Sequence, residues 1–253
     1  MAPFLRALEH DKKTEDIAPT PWQYYDSTPE GKAKFEAALW QECIEHFECE
    51  TEAYARLRDL QGKLIPRMYA HVRIAPYDSG VPADLLQSQM APYFEVRGAL
   101  LEVIDGYGLW DIATSPGAPA NPEIWPAIIQ AAADSAHEIN RRGVLMEDCA
   151  PRNVMVDAHV QKPFIIDLAQ CLFQDKMVKE WLEMGWADGD DDWDPDVEYW
   201  ERVQQQNNPA DIGVVMRTRL LQQKGMKLDI KLPDYDKIMR EVKRSKERAG
   251  SAR

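Results

Sequence analysis

The sequence predicts an α+β protein in which a short strand-bearing segment precedes a mostly helical one. Three observations carry this. Apolar residues (Phe35, Ala38, Leu39, Cys43, Phe47, Tyr54, Leu57) recur at three- and four-residue steps from Pro29 to about Leu60. Two β-rich runs follow, Met68–Ile74 and Tyr93–Ile104. Later helical stripes then bracket two brief apolar runs, Val154–Val156 and Phe164–Ile166, which read as a β-hairpin.

In chain order, residues 1–30 are polar and dotted with prolines (Pro3, Pro19, Pro21, Pro29), which reads as an arm. The helix that starts at Pro29 meets its stop at Gln61-Gly62. Between the two β-rich runs, Ala75–Ala91 holds Gly80 and prolines and reads as a loop. Asn121-Pro122-Glu123 is a good helix start: a capping amide, proline in the first turn, then an acid near the positive end. Ile124, Ile128, Ala132, Ala136 and Ile139 make its apolar stripe, and Gly143 closes it after Arg141-Arg142. Trp181, Trp186, Trp193 and Trp200 stand among many acids, a spacing that suits packing with a solvated acidic face. The run DGDDDWD (188–194) lacks the terminal glutamate of a calcium loop. Residues 209–223 are helical in pattern.

With 253 residues, 45% hydrophobic and 29% charged, the chain can bury one core or two lobes sharing one. No apolar run approaches the roughly 18–20 residues that span a membrane. The start MAPFLRALEHDKK turns charged too early for a secretory signal, so the expectation is a cytoplasmic protein with no membrane partner. Cys43, Cys49, Cys149 and Cys171 form no C-x-x-C pair, which predicts reduced thiols rather than zinc or disulfides. A net charge of −13 argues against a DNA binder. The charge is uneven, however: seven Lys/Arg against two acids give 237–253 a charge of +5. Lys237, Arg240, Lys243, Arg244, Lys246 and Arg248 could supply phosphate contacts to a charged tRNA, or form a solvated tail.

The chemistry concentrates at GVLMEDCAPRNVMVDAHVQKPFIIDLAQC (143–171). Asp148, Asn153 and Asp167 sit on loops at the ends of short strands, where catalytic groups tend to lie. This stretch resembles the catalytic core of the protein-kinase-like superfamily, whose loop reads H-R-D-x-x-x-x-N before a D-F-G. The resemblance implies Asp148 as catalytic aspartate and Asn153 and Asp167 as metal ligands. Met146-Glu147 replaces His-Arg, Ala150 stands at the usual lysine, and Leu168-Ala169 replaces Phe-Gly. It further implies that Cys149 packs inward rather than acting as a nucleophile. Glu50 would be the active-site glutamate of the preceding helix, with Glu52 the neighbouring choice. Leu101–Gly106 would be the hinge, placing Glu102 at the site.

The run from about Trp40 to Val215 resembles fungal kinase-like proteins. On that likeness the fold is protein-kinase-like with a reduced N-terminal lobe (31–104), a helical C-terminal lobe (105–236) and a basic tail (237–253). The phosphate-side parts are missing: Gly31 is the only glycine before Gly62, and no V-A-I-K-like strand precedes the Glu50 helix. Glu147, Asp148 and Asp167 would leave negative charge that magnesium, Arg152 or a cationic substrate must offset. A guanidinium fits such carboxylates best.

Size and economy also resemble the arginine-containing cyclodipeptide synthases, fungal biosynthetic enzymes that take arginine from its tRNA and release a diketopiperazine. That resemblance implies Asp148 or Glu147 as general base, with Asn153 beside them, and Asp167, Glu50 and Glu102 as substrate contacts, without a cofactor. Two alternatives stand beside it. One is an ATP- and Mg2+-dependent phosphotransferase with the metal on Asn153 and Asp167; the other is a pseudokinase that only binds a partner.

Overall fold

In the computed structural model, residues 4, 10, 20–74, 94–187 and 192–251 are described. Most of the expected arm, the 75–91 loop and Asp188–Asp191 of the acidic run lie outside them. The chain mixes helix and sheet, as an α+β protein should. Contacts divide it into two compact units: Met1–Glu52 with Met68–Leu101, and Ala53–Arg67 with Glu102–Arg253.

The first unit is built from most of helix α1 (Pro29–Arg56) and one antiparallel pair, β1 (Met68–Ile74) with β2 (Val96–Leu101). Thr28 starts α1: its hydroxyl accepts from the Gly31 amide at 3.0 Å, and Pro29 fits the first turn. Trp22 and Tyr25, just ahead of the helix, pack on Phe35 with ring centroids 5.0 and 5.2 Å away. Phe47 meets His71 of β1 edge-on at 5.8 Å, and Glu48 pairs with Arg97 of β2. The second strand is shorter than its pattern predicts. It ends at Leu101, and Val103 is 88% exposed beyond it.

The second unit has its core on α2 (Trp125–Arg141), whose Ile128, Ile129, Ala132, Ala136 and Ile139 are buried. Asn121 caps the short 3-10 turn Pro122–Ile124 that leads into it, accepting from the Glu123 amide at 3.0 Å. Ile124, assigned to the stripe from sequence, is 44% exposed because it belongs to that turn and not to the helix face. Helix α2 packs on α5 (Asn208–Lys224), and Gly213 of α5 leaves room for Ile230, to which a Cβ there would come within 2.5 Å. Gly143, at φ +73°, turns the chain from α2 into β4 (Val144–Met146).

The anticipated hairpin is present. β5 (Val154–Asp157) pairs antiparallel with β6 (Pro163–Ile165), Val154 opposite Ile165. β3 (Gly106–Gly108) joins the other edge of β5, and β4 pairs separately with β7 (Cys171–Phe173). Helices α3 (Gln174–Glu183), α4 (Pro195–Gln206) and α6 (Tyr235–Ser251) complete the unit. Leu145, Met177, Trp181, Tyr199, Val203 and Tyr235 form a second apolar cluster, with Trp193 and Trp200 packed against it. The tryptophan spacing thus serves packing. No helix among the described residues is long and apolar enough to cross a membrane, and all four cysteines are free thiols.

Helix α6 carries most of the basic segment 237–253. Ile238 and Met239 pack on the second cluster, while Lys246 pairs with Asp194 and Asp196 at 2.6 Å each. An apolar stripe at helical spacing was present in the sequence (Tyr235, Ile238, Met239, Val242), but the charge run masked it.

Candidate functional site

The loop Glu147–Asn153 is held from three sides. At its entrance, the Glu147 amide donates to Gln170 O at 2.9 Å, continuing the β4–β7 pairing by one step. Buried Asn208, at the start of α5, grips Met146: its amide donates to Met146 O at 2.8 Å, and its Oδ1 accepts from Met146 N at 3.3 Å. The Gln206 side chain donates to Glu147 O at 3.2 Å. At its exit, Pro151–Asn153 makes one 3-10 turn into β5.

Within the loop, Asp148 is enclosed by its own neighbours. Arg152 forms a salt bridge with its carboxylate, and Asn153 donates from Nδ2 to Asp148 O at 2.9 Å and Oδ2 at 3.3 Å. Of the three cations considered for this charge, Arg152 is the one the chain supplies. The Asn153 peptide oxygen accepts from the Ile166 amide at 2.9 Å, one step beyond the Val154–Ile165 pair. Asp167 follows immediately, so the hairpin brings Asn153 and Asp167 within a residue of facing positions. Asp167 is exposed, with φ +61°, and its carboxylate has no hydrogen-bond or ion-pair partner among the described residues. The Glu147 side chain is likewise exposed.

Glu102 and Glu50 are the remaining candidates. Glu102 takes the Arg67 amide at 2.9 Å and its guanidinium at 2.5 Å, so its carboxylate is already engaged within the second unit. Glu50 is half-buried on α1 in the first unit. The β1–β2 pair carries no lysine; its cations are Arg73 and Arg97, both paired with Glu95. No three His, Cys, Asp or Glu side chains converge as metal ligands among the described residues.

Cys149 is buried, with its thiol donating to Asn208 O at 3.5 Å. Burial pushes that thiol far above its ordinary range, with Asp211 and Asp148 adding to the effect, which disfavours the thiolate. Beside it opens a cavity of about 370 Å3, lined by Trp110, Cys149, Ala150, Pro151, Arg152, Asp211 and Val215. Asp211 is half-buried there, and burial raises its carboxyl to about 6 against a smaller downward pull from Asn208. Sequence reasoning missed Asp211 and Asn208. Both sit at the amino end of a helix, a position that reads as capping unless the partners are known.

No family model matches the chain, and no curated protein does. Among solved structures it aligns with monomeric WbdD at a TM-score of 0.37 and 16% identity, over 78% of this chain and 40% of that one. The bifunctional kinase-methyltransferase WbdD aligns at 0.36 and 16%, over 87% and 43%. The chain spans about two fifths of the length of these matches. So partial an overlap leaves the function to be argued from this chain's own residues.

Proposed function

We propose that Glu147–Asn153 and Asp167 form a transferase site for a cationic, arginine-bearing substrate, in the manner of the arginine-containing cyclodipeptide synthases. On this reading the chain keeps a protein-kinase-like catalytic core with a reduced N-terminal part. The observation that supports it is the division of charge around the loop. Arg152 neutralises Asp148 internally, while Asp167 is unpartnered among the described residues and Glu147 is exposed at the start of the loop. Two solvent-facing carboxylates suit a guanidinium, which binds in a two-pronged fashion.

Asp148, oriented by Arg152 and Asn153, accepts a proton from an α-amine as that amine attacks the ester carbonyl of an arginyl-tRNA. The new amide bond forms, the ester C–O bond breaks, and the proton passes to the departing ribose oxygen. The dipeptide stays esterified to the second tRNA; its free amine then attacks that ester carbonyl, the second amide bond forms as the ester C–O bond breaks, and the proton passes to the second ribose oxygen. The exposed lysines and arginines of α6 (Lys237, Arg240, Lys243, Arg244, Arg248) would meet the tRNA backbone, with Lys246 committed to Asp194 and Asp196.

A second reading, Mg-ATP phosphotransfer, is favoured by one observation. Asn153 donates only through Nδ2, which leaves its Oδ1, and with it the Asp167 carboxylate, as hard oxygen donors of the kind magnesium takes. Magnesium, when bound, would neutralise phosphate oxygens. The cations that hold those phosphates have no counterpart on β1 or β2.

One experiment separates the two. The full chain is incubated with arginyl-tRNA and mixed aminoacyl-tRNAs, and products are read by mass spectrometry; a parallel sample is melted with Mg-ATP. An arginine-bearing cyclic dipeptide that disappears in Asp148→Asn supports the first reading. A rise in Tm with Mg-ATP and no cyclic product overturns it in favour of phosphotransfer.

A further inference from the structure

The cavity beside the catalytic loop has a composition that the reading above does not use. Its walls are apolar: the Trp110 indole, Ala150, Pro151 and Val215. Two polar groups of opposite charge reach it, Arg152 from the loop and Asp211 from α5. Its volume of about 370 Å3 lies at the small-molecule end of ligand sites, which run from about 300 to 1,000 Å3. One wall is fixed in place. Arg219 stacks 3.7 Å over the Trp110 ring and donates to Trp110 O at 3.0 Å, holding the indole against α5.

We infer that this cavity seats an apolar α-amino acid, free or esterified, with its ammonium group on Asp211, its carboxyl toward Arg152 and its side chain against Trp110, Pro151 and Val215. The acid and the base are what argue for a zwitterion over a plain hydrocarbon. Asp211 is half-buried and forms no salt bridge with a cation among the described residues, and a carboxylate so placed gains from a cationic partner. Its raised carboxyl agrees, since a paired carboxylate would be shifted down. Arg152 binds Asp148 through Nη2, which leaves other guanidinium donors for a second oxygen ligand. Because the same Arg152 touches Asp148 and the cavity, the occupant's carboxyl lies beside the loop, with its amine toward α5. This inference rests on the proposed function only in making that occupant the second substrate; binding stands apart from it.

The test is calorimetric titration of the full chain with L-phenylalanine and with 3-phenylpropionate, which lacks the amine, in wild type, Asp211→Asn and Val215→Trp. Melting curves check that each variant is folded. The expected result is binding of L-phenylalanine at least about tenfold tighter than 3-phenylpropionate, with that preference gone in Asp211→Asn and all binding gone in Val215→Trp. No heat from L-phenylalanine at millimolar concentration, or equal affinity in wild type and Asp211→Asn, overturns the inference. Amino-acid binding without any cyclic dipeptide sinks the proposed reaction and leaves the pocket standing. Product formation with an unaltered Asp211→Asn does the reverse.

Discussion

Asn208 satisfies both peptide groups of Met146, donating to its oxygen at 2.8 Å and accepting from its nitrogen at 3.3 Å while fully shielded from water. A side-chain amide can play both parts because it carries a donor and an acceptor on one planar group. It is the brace that ties the Glu147–Asn153 loop to α5. Asn208→Ala leaves two buried peptide groups without partners and should cost about 2–4 kcal/mol in a urea titration. Asn208→Asp loses the donor and buries a carboxylate against the Met146 oxygen, and should cost at least as much.

Asp167 combines an exposed carboxylate with a left-handed backbone at φ +61°, a region that Asp and Gly tolerate and most residues do not. Asp167→Ala should therefore lower stability by about 1 kcal/mol. Asp167→Gly should not, since glycine enters that region freely. If the carboxylate grips substrate, both variants lose activity alike. Equal activity in wild type and Asp167→Gly would remove Asp167 from the site.

The Asp211 carboxyl sits at about 6 in the folded protein against an ordinary 3.8, so the folded state holds its proton more firmly than the unfolded chain. Between about pH 4 and pH 6 this group's contribution to stability falls as pH rises, and above that window it stays low. After discounting for solvent reaching a half-buried group, the loss is on the order of 1–2 kcal/mol. Other carboxylates, such as Asp59 and Asp175, are held low by Arg142 and Arg56 and titrate in the opposite sense. The measurable quantity is thus the difference between wild type and Asp211→Asn. The variant's relative stability should grow from pH 4 to pH 7 in guanidinium titrations, and a flat difference would disprove the assignment.

Helix α6 carries a basic outer stripe and an apolar inner one, which makes deletion a poor probe of tRNA binding. Reversing Lys237, Arg240 and Arg244 to glutamate should leave Tm nearly unchanged, because these residues are exposed. If α6 meets tRNA as proposed, the same change should weaken that binding, with a shallower dependence on salt concentration, and unchanged affinity would remove α6 from the proposal. Removing 237–251 should instead unfold the second apolar cluster, seen as lost near-ultraviolet circular dichroism from Trp181 and Trp200.

The elements legible in the sequence were those whose pattern is local. Helix α1, though it ends at Arg56 with a 3-10 turn carrying the chain on to Leu60, the Asn121 cap, the Val154–Ile165 hairpin and α5 all follow from spacing and caps a few residues apart. The strands β3, β4 and β7 have three residues each, too short for a period, and exist only because β5 or a distant partner completes their hydrogen bonds. The candidate site divided the same way. Asp148, Asn153 and Asp167 stood out through their spacing, and Arg152 was visible as one possible neutraliser. Asn208 and Asp211 lie about sixty residues away in sequence. Nothing local marks them, because what distinguishes each is a partner or a cavity supplied by the loop.

The shape of α6 also constrains how this part of the molecule can change. Tyr235, Ile238 and Met239 form part of the wall around Trp181 and Tyr199, and the side away from that wall is open to exchange. New specificity can be written there one surface residue at a time, as with paint on masonry. The masonry itself has to stay.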